Sequence, residues 1–162
     1  MLYFSYGSNM SIRRLTERTP SAGFVAVARL PGHELKFHKI GRDGSGKCDA
    51  AMTGDDDNMV IGVVFDFPAS EKPILDRYEG LGAGYQEKSV IVVPQTGKAL
   101  EAVTYYATRI DPLLHPFHWY KQHVVTGATE NSLPEHYVAR IAAVESIADP
   151  MAGRHAEELK IY

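Results

Sequence analysis

Leu2 to Tyr6 alternates in side-chain character and is rich in aromatics, a pattern that predicts a strand beginning almost at the first residue, with no tail before it. Gly7-Ser8-Asn9 breaks the strand. Ser11 is then placed to cap a short helix that carries Ile12 and Leu15 on one face until Pro20 ends it. Phe24 to Leu30 and Glu34 to Ile40, separated by Pro31-Gly32, read as two strands paired antiparallel. Gly41 to Asp49 is too glycine-rich and polar to be regular, Ala50 to Thr53 reads as a short strand, and Gly54 to Asn58 as a turn. Met59 to Phe67 is the clearest strand. Ser70 is expected to cap a helix whose Ile74, Leu75 and Tyr78 fall at helical spacing, stopping at Gly80. Tyr85 to Val93 and Ala99 to Thr108 flank Pro94 to Lys98 as a second hairpin. From Pro112 the spacing becomes helical, with Trp119, Tyr120, His123 and Val124 on one side, and Leu133 to Ile147 predicts another helix after Gly127 to Asn131.

Strand meanders with short helices inserted, followed by a helical C-terminal third, define an α+β class, and six or seven strands are enough to curl into a small barrel. The 162 residues are 44% hydrophobic and 23% charged, which suits one soluble domain over 1–162. Cys48 is the single cysteine, so the core is not disulfide-built. Seventeen Lys+Arg against 20 Asp+Glu, with the basic residues scattered along the chain, argue against nucleic acid as a partner. No apolar run approaches the roughly 20 residues of a membrane span and no leader pattern opens the chain, so a cytoplasmic location is expected.

Absent motifs exclude reaction classes. There is no G-x-x-x-x-G-K-[ST], no G-x-G-x-x-G after a strand, no G-x-S-x-G and no H-E-x-x-H. His115, His118 and His123 lie close together without the spacing of a zinc site and read as a helix-surface cluster; Asp55-Asp56-Asp57 reads as a solvated turn, not a calcium loop. No metal and no cofactor is expected.

Two segments carry candidate chemistry. In Tyr6-Gly7-Ser8-Asn9-Met10 a glycine leaves a strand and small polar residues enter a helix, so successive backbone N–H groups are exposed in a turn able to hold a carboxylate. An ordinary strand-to-helix turn, with Ser and Asn satisfying their own backbone, accounts for the same residues. In Leu75-Asp76-Arg77-Tyr78-Glu79-Gly80 a carboxylate stands at a helix C-terminus, where the macrodipole disfavours negative charge and should raise its pKa. Such a group is either an acid/base or an exposed glutamate at a frayed end.

The combination of Tyr6-Gly7-Ser8-Asn9-Met10, Val27-Ala28-Arg29-Leu30, Tyr78-Glu79-Gly80 and Gly127-Ala128-Thr129-Glu130-Asn131-Ser132-Leu133-Pro134 resembles the γ-glutamylcyclotransferase family in order and separation over residues 2 to about 147. The resemblance implies a small mixed β-barrel with peripheral helices, and leaves 148–162 as a C-terminal extension. It implies that Glu79 is the acid/base, that the backbone around Tyr6, Gly7, Ser8 and Asn9 grips the substrate, and that Tyr85 and Tyr120 line the pocket. The implied reaction is cyclisation of a γ-glutamyl amide to 5-oxoproline. It needs no metal, nucleotide or nucleophilic Cys or Ser, because nucleophile and electrophile are in one molecule. Ser8-Asn9 favours γ-glutamyl amino acids; a sister activity on γ-glutamylamines or another γ-glutamyl-capped metabolite, and a non-catalytic binding module, are the alternatives. A homodimer is expected from the resemblance and from the apolar, aromatic segment Pro112 to Val125.

Overall fold

A computed structural model describes residues 1–162 as seven strands and five α-helices. Strands β1 (Leu2–Ser5), β2 (Gly23–Pro31), β5 (Met59–Asp66), β6 (Tyr85–Pro94) and β7 (Leu100–Ala107) close a barrel in the order β1-β5-β2-β6-β7, while β3 (His33–Ile40) and β4 (Gly46–Met52) form a separate two-stranded sheet. Five of the seven strands therefore make the barrel. It is mixed: β1 runs antiparallel to β5, with Tyr3 opposite Phe65, and parallel to β7, with Tyr3 opposite Val103.

Burial explains the strand patterns. Val60 to Phe65 of β5 are all buried, so the strand reads as a continuous apolar run and occupies the barrel between β1 and β2. In β6, by contrast, Val90 and Val92 point inward while Ile91 and Val93 are exposed, which is the period-2 alternation of a half-buried strand.

The expected β2–β3 hairpin does not form. β5 takes the edge of β2, with Arg29 opposite Ile61, and β3 pairs instead with β4, with Leu35 opposite Ala50. Gly32, at φ 69°, is held by Asn58 and Thr53, so the chain passes out of the barrel and does not turn back on itself. Part of the segment expected to be irregular belongs to β4, whose Cys48 and Asp49 are buried. Asp49 there bonds to His38 Nε2 at 2.9 Å and accepts the Ala107 N–H at 2.8 Å, which ties β4 to β7.

The helices are shorter than their spacing suggests. Ser11 is the N-cap of α1 (Ile12–Thr16), yet its hydroxyl makes no capping bond. Ser70 lies inside a 3₁₀ turn, Ala69–Glu71, and α2 (Lys72–Glu79) starts after it, with Glu71 as N-cap and Pro73 in its first turn. α3 spans His118–Glu130 and not the stretch from Pro112, since Pro116 disfavours helical geometry in the residue before it. α4 is Glu135–Ala142 only; the backbone of Ile147 pairs with Pro116 and His118 instead, and a last helix, α5 (Arg154–Leu159), follows. Trp119, Tyr120, His123 and Val124 of α3 are buried within this chain, which removes the ground for expecting a second copy against that face. It also corrects the surface placement of His123, which is fully buried and bonded to the Tyr162 hydroxyl at 3.0 Å.

Candidate active site

β1 delivers Tyr3 and Ser5, and the residue after it Tyr6, to one end of the barrel, and the 3₁₀ turn Ser8–Met10 follows. α3 fixes this turn by direct backbone packing. A Cβ on Gly127 would lie 2.4 Å from Ser11 N and 2.7 Å from Met10 C, so only glycine permits the approach, and Asn131 Nδ2 donates to Met10 O at 2.9 Å. On the opposite wall α2 ends at Glu79, and Gly80 takes the left-handed conformation, φ 74°, that terminates the helix.

These elements form a pocket lined by Tyr3, Ser5, Tyr6, Gly7, Ser8, Asn9, Cys48, Glu79, Tyr85, Tyr105 and Tyr120. All seven residues expected at a site, Tyr6, Gly7, Ser8, Asn9, Glu79, Tyr85 and Tyr120, are brought together there. Tyr3, Ser5, Cys48 and Tyr105 also line the pocket and carry no signal in the sequence that marks them as site residues. The inward side of β1, the inner position of β4 and the inner face of β7 supply them once the barrel closes.

Glu79 is the sole carboxylate among the lining residues. Its Oε1 accepts Asn9 Nδ2 at 2.6 Å and lies 3.5 Å from Arg18 Nη1, whereas Oε2 has no hydrogen-bond partner in the protein. Arg18 also donates to Asn9 Oδ1, which fixes the amide so that its NH₂ faces Glu79. One oxygen is thus anchored and the other free.

Every other ionisable group of the inner pocket is held neutral. Burial pushes the phenols of Tyr3, Tyr6, Tyr85, Tyr105 and Tyr120 above their ordinary range, and pushes the Cys48 thiol up to about 12. The Tyr6, Tyr85 and Tyr105 hydroxyls donate to Tyr105 O, Cys48 O and Asp76 Oδ1 respectively and are committed to the scaffold. Tyr120 Oη accepts the Cys48 N–H at 3.0 Å and keeps its own proton to offer. Ser5 Oγ is buried without a partner, and the N–H groups of Gly7, Ser8 and Asn9 have no backbone acceptor. Hydrogen-bond donors face the cavity on one side and a carboxylate oxygen on the other.

The pocket opens into a wider vestibule that shares Ser8, Glu79, Tyr85 and Tyr120 with it. Six cationic side chains line the vestibule, Arg14, Arg18, Lys39, Arg42, Lys47 and Arg154, with Asp43, Glu79 and Glu158 as the acidic residues. Basic residues scattered in sequence are therefore gathered at one mouth by the fold. No helix is long and apolar enough to cross a membrane.

Comparison with known proteins agrees with this geometry. The profile of the AIG2-like family matches residues 59–141. The γ-glutamylcyclotransferase of Homo sapiens is 34% identical over 98% of this chain and 85% of its own length. A solved γ-glutamyl cyclotransferase superposes with a TM-score of 0.87 at 30% identity, covering 97% of this chain and 96% of that one. A yeast γ-glutamyl cyclotransferase specific to glutathione is only 12% identical, with a TM-score of 0.56 over 87% of this chain and 95% of that one, a likeness of fold alone.

Proposed function

The chain belongs to the γ-glutamylcyclotransferase family, and from that premise we propose that it cyclises γ-glutamyl amino acids to 5-oxoproline with Glu79 as the proton carrier. The observation that carries the assignment is the free Oε2 of Glu79 in a pocket whose other ionisable groups are all held neutral.

The pocket has two tasks. It must fold the glutamyl chain so that the α-amine meets the γ-carbonyl carbon, and it must manage one proton. The N–H groups of Gly7, Ser8 and Asn9 are the donors for the substrate α-carboxylate, which orients the amine. The amine nitrogen then bonds to the γ-carbon, closing a five-membered ring, and its proton passes to Glu79 Oε2. Negative charge develops on the γ-carbonyl oxygen, for which Tyr120 Oη and Ser5 Oγ are the unspent donors. As the tetrahedral centre collapses, the bond to the leaving nitrogen breaks and Glu79 returns the proton to it. The products are 5-oxoproline and a free amino acid, and no water is consumed. Tyr6 and Tyr85, with hydroxyls tied to the scaffold, shape the walls.

A single domain over 1–162, whose vestibule α5 completes through Arg154 and Glu158, works in the cytoplasm as a homodimer. Sedimentation showing only a 17.9 kDa species at micromolar concentration would contradict the dimer.

The test of function is incubation of the protein, with chelator and no added cofactor, with γ-glutamyl dipeptides, glutathione and γ-glutamyl-lysine, followed by assay of 5-oxoproline. Dipeptides should turn over best. Product from γ-glutamyl-lysine alone would favour a γ-glutamylamine enzyme, and no product from any compound would leave a binding module.

A further inference from the structure

The vestibule cations divide into two groups. Arg14 pairs with Glu158, Arg18 bonds to Asn9 and Glu79, Lys47 bonds to Asp43, and Arg154 bonds to Asp149. Lys39 and Arg42 make no ion pair and no side-chain hydrogen bond, although both line the same space. Lys39 is only 6% exposed, and its Nζ sits 4.6 Å from the centre of the Tyr85 ring. The Tyr85 ring offsets only part of the cost of burying this ammonium and no carboxylate of the chain pairs with it, so an incoming anion is its natural complement.

The two cations stand over one short turn, the one that leaves Glu79. Arg42 Nη2 lies 3.2 Å from where a Cβ on Gly80 would be, and Lys39 Nζ lies 3.2 Å from the corresponding point on Gly84. Their charges act on each other, and the charge of Glu79 reaches Lys39 without an ion pair forming. The free cations are thus on the vestibule side of the proton carrier, where the part of a substrate beyond the scissile amide must project. A five-donor fork and a point-charge ammonium, one at each end of this turn, are complementary donors for a carboxylate.

We propose that Lys39 and Arg42 form the subsite for a carboxylate on the leaving group, and so select γ-glutamyl amides of α-amino acids over those of simple amines. The inference rests on the cyclotransferase reading and deepens it. The subsite pulls the leaving group toward the vestibule and sets the scissile nitrogen beside Glu79, while the donors of the Tyr6 to Asn9 turn hold the other end.

The experiment compares kcat/KM for γ-glutamyl-alanine and γ-glutamyl-alaninamide, which differ only in the charge on the leaving group. The wild type should prefer the carboxylate by about 10- to 100-fold, the range of a charge-assisted hydrogen bond. Lys39→Met retains the stem that packs on Tyr85, and Arg42→Gln alters an exposed side chain. Each should reduce the preference about tenfold, chiefly through KM for the carboxylate substrate. Equal use of both substrates by the wild type, or an unchanged preference in both variants, would overturn the subsite while leaving the activity in place. Absence of 5-oxoproline from either substrate with the wild type would remove the cyclotransferase reading itself, and the subsite with it.

Discussion

Asn9 Nδ2 donates to Glu79 Oε1 at 2.6 Å across 70 positions of sequence, so the turn after β1 holds the carboxylate at the end of α2. Neither residue is oriented by its own element alone. Asn9→Leu keeps approximate size but loses all three amide contacts, releasing Glu79 and the Tyr3 hydroxyl and leaving Arg18 without its Oδ1 acceptor. Hydrogen bonds to charged groups are worth about 1.5–3 kcal/mol, so kcat should fall roughly 10- to 100-fold. Steady-state kinetics on a γ-glutamyl dipeptide measures this, and a kcat within twofold of wild type would show that Asn9 does not position Glu79.

Gly7 tests the substrate grip. A Cβ there would lie 3.1 Å from Cys48 Cβ and 3.5 Å from the Tyr120 hydroxyl, so the branched side chain of Gly7→Val intrudes where the α-carboxylate must approach the backbone. The expected outcome is a KM raised at least tenfold in a folded protein. A near-normal KM would move the carboxylate site elsewhere.

His123 gives a pH-dependent signature of the C-terminal packing. Its ring meets Arg14, Glu158 and the Tyr162 hydroxyl, and burial holds its pKa below the ordinary value of about 6.5. The unfolded chain therefore binds a proton there before the folded chain does, so stability declines as pH falls through about 6.5 toward the lower folded pKa. His33 is shifted in the same direction, also by burial. Thermal unfolding at about pH 7 and about pH 5.5 should show a loss that is smaller, though not abolished, in His123→Phe; an equal loss in both proteins would assign the effect to other groups.

The candidate residues singled out from the sequence are gathered by the fold into one pocket. Local signals, small polar residues after a strand in one case and Glu-Gly at a helix end in the other, mark Tyr6 to Asn9 and Glu79 as candidates but suit an ordinary turn and an exposed glutamate equally well; the family resemblance is what singles them out, as it does Tyr85 and Tyr120. Strand partners have no such signal. Pro31-Gly32 looks like a hairpin turn, and only the competition of β5 for the edge of β2 shows otherwise. Cys48 and Asp49 look like loop residues because their partners, Tyr120, Tyr85, His38 and Ala107, come from other elements. The block from Gly127 to Pro134 has a similar history: Gly127 and Asn131 read as a helix break, yet both serve to seat α3 on the Ser8–Met10 turn. The vestibule charge is invisible for the same reason, since Arg14, Lys39 and Arg154 meet only in space.

The most direct measurement is 5-oxoproline formation by Glu79→Gln under saturating γ-glutamyl dipeptide. Glutamine can still accept the Asn9 hydrogen bond at the Oε1 position but cannot take a proton at the other terminus, so substrate binding should persist while chemistry fails. General acid/base catalysis contributes about 10²- to 10⁴-fold, and kcat should fall by that factor with KM little changed. Glu87→Gln is the control: Glu87 pairs with Lys72 outside the pocket, and this variant should stay within a few-fold of wild type. Activity of Glu79→Gln within tenfold of wild type would contradict the assignment of Glu79 as the proton carrier.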